Sequence, residues 1–327
     1  MSDEPKIMKV LITGGSGFIG SHIVDQLLSN GFEVRIFDMV QSPWHKQNAE
    51  VEYYNGSLLS PDDLKMAMYD IQIVFHLAAV ADVNDVFKDP YYAESINVRG
   101  TANVLEAVRG NKQIERVVYG STTWVYSNAN SSEVNEDTPL NAPNNFYTAT
   151  KLTGEYYCQS YSKMFGVPIS IVRYGIPYGP RARDAGVIPI FVDKAIRGVP
   201  ITIAGDGMQF RNFVYVEDLA LGNVKALRTI AKNRIYNLDG TERITIKQIA
   251  QVVQKIIGNV EIEYIQARPG DFSGKNVCTK RAKEELDWEA GMPFEEGVRR
   301  YIDWYKQRKE KSDMESKVLV SKLDKLS

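Results

Sequence analysis

The chain has 327 residues, 44% hydrophobic and 24% charged, enough for one elaborated α/β domain or two modest domains sharing a sheet. A net charge of -2 gives no electrostatic case for nucleic acid or an anionic membrane, so any cationic site must be local. Two isolated cysteines (Cys158 and Cys278) and three scattered histidines (His22, His45 and His76) argue against a disulfide scaffold or a metal centre, and favour a reducing, cytoplasmic setting.

The opening MSDEPKIMKV is too acidic and polar for a signal peptide, and no apolar stretch approaches the ~20 residues of a membrane helix. MKVLIT (8–13) then begins a series of short, nearly continuous apolar runs. EVRIFD (33–38), VEYYNG (51–56), IQIVFHLA (71–78), ERVVYGS (115–121) and PISIVRYG (168–175) continue it. Such runs predict parallel strands buried on both faces. Between them, SPDDLKMAMYD offers Ser60 as N-cap and Pro61 at the first helical position, and ESINVRGTANVLEAVRG closes at Gly110. Strand and helix in alternation predict an α/β fold, a Rossmann-type doubly wound parallel sheet.

Beyond about residue 176 the rhythm breaks. PYGPRARDAG reads as loop, and TIKQIAQVVQKIIG carries a capping box (Thr245 with Gln248) and closes at Gly258. PFEEGVRRYIDWYKQRKEK reads as an amphipathic C-terminal helix. The expected division is a cofactor domain over 1–176, to which a later strand near 234–238 is a candidate to return. A smaller C-terminal α/β substrate lobe follows over 177–312, then a charged tail over 313–327 that is prone to fray.

LITGGSGFIGSH (11–22) spaces Gly14, Gly17 and Gly20 as G-x-x-G-x-x-G between a predicted strand and a predicted helix. Glycine there admits a pyrophosphate to the backbone, and the helix N-terminus supplies N–H donors. Asp38 ends the second strand, where a carboxylate accepts the two ribose hydroxyls of NAD and repels a 2′-phosphate. The expected cofactor is therefore NAD. In NNFYTATKLTGEYY, Tyr147 and Lys151 lie four apart and share a helix face. A nearby ammonium favours the phenolate, which suits Tyr147 to acid–base work. GSTTWVY places Ser121, Thr122 and Thr123 at the end of the fifth strand, where a hydroxyl can hold the substrate oxygen that Tyr147 handles.

TGGSGFIG, HLAAVADV, INVRGTANVLEA, VVYGSTTWVY, YTATK, VRYGIPYGPR and GDGMQFRNFVYVEDLA together resemble the extended short-chain dehydrogenase/reductase family. These are NAD-dependent nucleotide-sugar epimerases and dehydratases, with UDP-glucose 4-epimerase the nearest type. The resemblance implies that Gly14, Gly17, Phe18, Ile19 and Gly20 hold the pyrophosphate and Asp38 the adenosine ribose. It places Ser57 and Leu58 beside the adenine, with Ser57 where the family usually has an acid. It also implies that Leu77, Ala78 and Ala79 line the cofactor, and that Asn97 and Lys151 serve its nicotinamide half. Thr122, Tyr147 and Lys151 match the catalytic set, with Thr122 also touching substrate, and Arg211 and Arg268 match diphosphate-binding arginines. The implied reaction is 4-epimerisation of a nucleotide-diphosphate hexose through a 4-keto form, in a cytoplasmic homodimer built on the helices around 92–109 and 147–164.

Two departures stand out. RYGI puts Gly175 and Ile176 where the family has an aromatic residue and an asparagine. TTW puts Thr123 and Trp124 where dehydratases carry acids. The rival readings are a 4,6-dehydratase, with Asp82 as a substitute acid, a 4-ketoreductase, a uronate decarboxylase and a non-catalytic NAD-binding regulator.

Overall fold

The computed structural model describes residues 7–258, 260–266 and 274–323. Seven strands form one parallel sheet: β1 (Lys9–Thr13), β2 (Glu33–Asp38), β3 (Val51–Asn55), β4 (Ile73–His76), β5 (Arg116–Thr122), β6 (Ile169–Tyr174) and β7 (Ile235–Leu238). Their order is β7-β6-β5-β4-β1-β2-β3, and every neighbouring pair runs parallel. The order reverses between β1 and β4, which is where an open α/β sheet leaves a crevice at the carboxyl ends of its strands.

The continuous apolar runs are explained by burial on both faces. Val10 and Ile12 of β1 pack with Ile23, Val24 and Leu27 of the Phe18–Ser29 helix, whereas Leu11 between them packs with Leu64, Val74 and Leu105 on the opposite face. Side chains alternate across a strand, so a strand covered on both sides has no position for exposed polar residues. At the carboxyl ends the strands present the polar Thr13, Asp38, His76 and Thr122.

Two compact units divide the chain. One comprises residues 1–177, 212–241 and 274–291; the other comprises 178–211, 242–273 and 292–327. The path is interleaved across the boundary expected near 176, and the strand expected near 234–238 lies in the first unit as β7. Burial decides it: Leu219 and Ala220 of the Val216–Lys225 helix join the cluster of Ile23 and Leu27, and β7 pairs with β6 along Ile235–Leu238. Trp288 is buried in the same cluster, its indole N–H donating to the Asp218 carbonyl at 2.8 Å.

The second unit contains the helices Val187–Ile196 and Ile246–Ile257 and the parallel strand pair Ile201–Ala204 and Ile262–Ile265. The capping box at Thr245 and Gln248 is formed in full. Its last helix runs from Phe294 to Leu323, so residues 313–323 of the charged tail are helical. Tyr305 and Lys309 both bind Asp193, at 2.8 and 3.0 Å, and tie this helix to Val187–Ile196.

Candidate active site

The glycine loop leaves β1 and turns at once into the Phe18–Ser29 helix. Gly14 adopts φ +74°, and a Cβ on it would sit 2.8 Å from the Ala78 backbone. A Cβ on Gly20 would sit 2.2 Å from the Gly14 carbonyl oxygen. The loop is thus closed against both its own helix and the segment after β4, and no side chain fits at either position. The first i→i−4 bond of the helix runs from Ser21 to Gly17, so the N–H groups of Phe18, Ile19 and Gly20 have no acceptor within the helix. No side chain caps this end and no acid lies in its first turn. A cradle of backbone donors kept free of carboxylates fits a pyrophosphate.

Asp38 lies beside this cradle at the end of β2. Its two oxygens accept the N–H groups of Ser16 (3.1 Å) and Val40 (3.3 Å), which fixes the carboxylate next to the glycine loop. At the end of β3, Ser57 donates its N–H to Asp63 at 3.1 Å. A carboxylate of the Pro61–Ala67 helix thus lies beside position 57, a contact the sequence alone does not reveal. Leu58 turns inward instead of facing a ligand. Its side chain is buried against Gly100, which leaves only its peptide groups for a base.

Tyr147 and Lys151 lie one turn apart near the start of the Phe146–Phe165 helix, whose N-cap Asn145 accepts the Thr148 N–H at 2.8 Å. Tyr147 is half-buried and meets Trp124 edge to face, with ring centroids 6.5 Å apart. Lys151 is buried, with Nζ 4.4 Å from the centre of the Tyr119 ring. Burial pulls its ammonium down to about 8, against the raising influence of Cys158 and Glu155. At neutral pH it remains mostly charged.

Of the three hydroxyls ending β5 and opening the next turn, the structure separates two by their partners. Ser121 donates to Glu155 at 2.5 Å and is committed below the site. Thr122 instead accepts the Trp124 N–H at 3.2 Å as cap of the Thr123–Tyr126 turn, which leaves its own proton available to a ligand oxygen. Glu155 also holds Arg173 through two bonds, at 2.9 and 2.7 Å, and Arg173 reaches Tyr126 at 2.6 Å. Burial opposes the guanidinium charge, but Glu155 and Tyr126 more than offset it, so Arg173 is held firmly protonated. This buried pair is joined to the end of β5 through Ser121 and to the following turn through Tyr126.

With the dinucleotide cradle and the Tyr-Lys-Thr set both at the carboxyl edge of one sheet, comparison with known proteins decides the family. Residues 10–239 match the profile of the NAD dependent epimerase/dehydratase family. The chain belongs to that family. A Methanocaldococcus jannaschii protein bearing a provisional UDP-glucose 4-epimerase name is 36% identical over 304 residues, covering 91% of this chain and 98% of that one. UDP-glucuronate 4-epimerase of Thermodesulfobacterium geofontis is 31% identical over 311 residues, covering 91% and 96%. Among solved structures, the Bacillus cereus UDP-glucuronic acid 4-epimerase, in complex with UDP-glucuronic acid and NAD, superposes with a TM-score of 0.84 at 31% identity. It covers 92% of this chain and 99% of its own.

Several placements go beyond the motifs that mark the family. Asn97, expected near the cofactor, is buried and bonds Val80 twice, through its N–H (2.8 Å) and its carbonyl (3.0 Å). It therefore positions the 77–80 segment, of which Leu77, Ala78 and Ala79 remain partly exposed. Gly175 has a local cause: a Cβ there would fall 1.9 Å from Oδ1 of Asp239, a buried carboxyl whose burial pushes it up to about 7. Asp82 accepts the Asn84 N–H at 2.8 Å as cap of the Val83–Lys88 helix. Arg211 belongs to the second unit, where its guanidinium reaches the Phe210 carbonyl at 2.8 Å. Arg268 lies outside the described residues. Among the described residues no cluster of His, Cys, Asp or Glu could hold a metal ion, and no helix is long and apolar enough to cross a membrane.

Proposed function

We propose that this protein is an NAD-dependent 4-epimerase acting on a nucleotide-diphosphate sugar of the UDP-hexose type. The observation that carries this reading is the placing of Thr122, Trp124, Tyr147 and Lys151 together, with no carboxylate in the turn after Thr122. NAD, when bound, supplies reversible hydride acceptance at the sugar C4. Gly14, Gly17, Phe18, Ile19 and Gly20 hold its pyrophosphate, and Asp38 pairs with the adenosine ribose. Ser57 and the Leu58 peptide border the adenine, and Lys151 serves the nicotinamide ribose.

Tyr147 takes the proton of the 4-hydroxyl and returns it once the 4-keto sugar has turned over. Thr122 donates to the same oxygen, and the buried charge of Lys151 favours the phenolate through the single helical turn between them. A 4,6-dehydratase needs further acids for C5 and C6. Here Thr123 and Trp124 cannot act as carboxylates, and Asp82 is engaged as a helix cap. A regulator that merely binds NAD has no use for a phenol set beside a buried ammonium.

Arg211 and Arg268 are assigned to the substrate diphosphate, and the second unit to the nucleotide sugar. The protein is assigned to the cytoplasm as a homodimer. Support for the dimer comes from the Phe146–Phe165 helix, which exposes Phe146, Tyr156, Tyr157, Met164 and Phe165. Tyr161, by contrast, is held within the chain by a 2.5 Å bond to Glu106 on the neighbouring Gly100–Gly110 helix.

The test is incubation with a panel of UDP-hexoses, UDP-uronates and UDP-pentoses in heavy water, read by NMR and mass spectrometry. C4 epimers without carbon-bound deuterium are expected. Deuterium at C5 or C6 refutes epimerisation in favour of dehydration, loss of carbon dioxide identifies a decarboxylase, and NAD binding with every sugar unchanged leaves a regulator.

A further inference from the structure

His76 is buried at the carboxyl end of β4, and neither the motifs nor the proposed chemistry gives it a task. Its partners fix its tautomer. Thr101 Oγ1 donates to the Asn97 backbone carbonyl at 2.6 Å, so it can only accept from His76 Nε2, 3.0 Å away. Nε2 therefore carries the proton and Nδ1 is the acceptor, taking the hydroxyl proton of Thr13 at 2.8 Å. Thr13 Oγ1 in turn accepts the N–H groups of Leu77 (3.2 Å) and Ala78 (3.3 Å). Thr101 also meets the Tyr119 hydroxyl, but a carbonyl cannot donate, so the bond from Thr101 to Asn97 sets the direction of the chain.

The two ends of the chain grip one segment. Thr13 holds residues 77–78 against Gly14, while Asn97 holds Val80 by two bonds. Asn97 Nδ2 also donates to Thr150 Oγ1 at 3.0 Å, and Thr150 donates to the Tyr147 carbonyl at 2.8 Å. Asn97 lies within Ser95–Arg99, a π-helical turn leading into the Gly100–Gly110 helix. The wider turn rotates the side chains beyond it by about 100° relative to an uninterrupted α-helix. Lys151 and the Tyr119 ring are the titratable groups facing the imidazole; burial first, and then the Lys151 charge, push His76 down to about 3.

We propose that His76 is a positioning residue that, as the neutral Nε2–H tautomer, locks the 77–80 segment between the glycine loop and Asn97 and so sets its register against Tyr147. The consequence for turnover rests on the epimerase reading; the consequence for the segment and for NAD does not. His76 acts through Thr13 and Asn97 and touches no reacting atom.

The tests use the full chain. Imidazole ¹⁵N NMR is expected to show a protonated Nε2 and an unprotonated Nδ1, unchanged between about pH 5 and 8. The opposite tautomer, or a titration in that range, overturns the proposal. His76→Phe fills the ring volume without the bonds, whereas His76→Gln keeps one donor and one acceptor. In the Phe variant, amide exchange at Ala78 and Val80 should quicken by roughly tenfold while Ile36 in β2 is unmoved, and NAD should bind several-fold more weakly. The Gln variant should recover most of both. Should the Phe variant fail to fold, the NMR signature and the Gln variant still decide the matter. Unchanged exchange and NAD affinity in a folded Phe variant overturn it. Given epimerase activity, kcat should fall in the Phe variant with KM for the sugar unchanged. If no sugar is turned over by the parent protein, the epimerase reading fails while exchange and NAD affinity still judge His76.

Discussion

Asp239 offers a stability test that can be worked from its surroundings. It follows β7 and is buried, with one oxygen accepting the Gly240 N–H at 2.9 Å and the other accepting Asn212 Nδ2 at 3.3 Å. No cation is among the causes that set its ionisation. Burial dominates, and raises the carboxyl from an ordinary 3.8 to about 7. Between those two values the folded protein binds the proton that the unfolded chain has released. The Asp239 contribution to stability is therefore full below about pH 4, declines as pH rises toward 7, and is flat above it. Linkage puts the loss between pH 5 and 8 at roughly 2–3 kcal/mol.

Asp239→Asn removes that loss. An amide keeps the Gly240 bond and can donate to Asn212 Oδ1, a buried oxygen without a hydrogen-bond partner. Urea unfolding at several pH values should show the variant gaining on the parent by about that amount from pH 5 to 8. Parallel curves with the same pH dependence refute the reasoning. The neighbouring glycine gives a cross-check. Gly175→Ala drives a methyl into the Asp239 carboxyl, and overpacking of this kind costs about 1–3 kcal/mol. Asp239→Ala in the same chain should relieve most of that cost, and additive effects would contradict the contact.

Tyr147→Phe keeps the ring and its contact with Trp124 but removes the titrating oxygen, so turnover should fall by ~10²–10⁴-fold with the circular dichroism spectrum unchanged. Near-normal turnover defeats the mechanism. Asp38 should make NAD bind at least tenfold more tightly than NADP, a difference of about 1.4 kcal/mol, and equal affinities in calorimetry count against it. Because Lys151 loses its proton near pH 8, kcat/KM should fall as pH rises through that value; a rate still climbing at pH 9 contradicts the assignment. Sedimentation at micromolar concentration should give a dimer that Tyr156→Glu weakens, and a monomeric parent removes the dimer proposal.

The sheet was legible in the sequence because parallel strands covered on both faces leave continuous apolar runs, and six such runs coincide with β1 to β6 to within two residues at either end. The cradle was legible for a related reason. Gly14 and Gly20 are required by local contacts within one turn, and local geometry is encoded locally. Tyr147 and Lys151 announce themselves by helical spacing. What spacing cannot encode is which distant segment meets which. The return of 212–241 and 274–291 to the sheet unit depends on Leu219 joining the cluster of Ile23 and Leu27, and on Trp288 packing beside Gly222 and bonding Asp218. The meaning of Gly175 depends on a carboxyl 64 positions later. The direction of the Thr13–His76–Thr101–Asn97 chain is set only when four hydroxyl, imidazole and carbonyl groups from three segments come within 3.0 Å of one another. Backbone conformation and amphipathic period are properties of neighbours in sequence, whereas buried polar pairing is a property of neighbours in space, and that is where this fold holds its site in register.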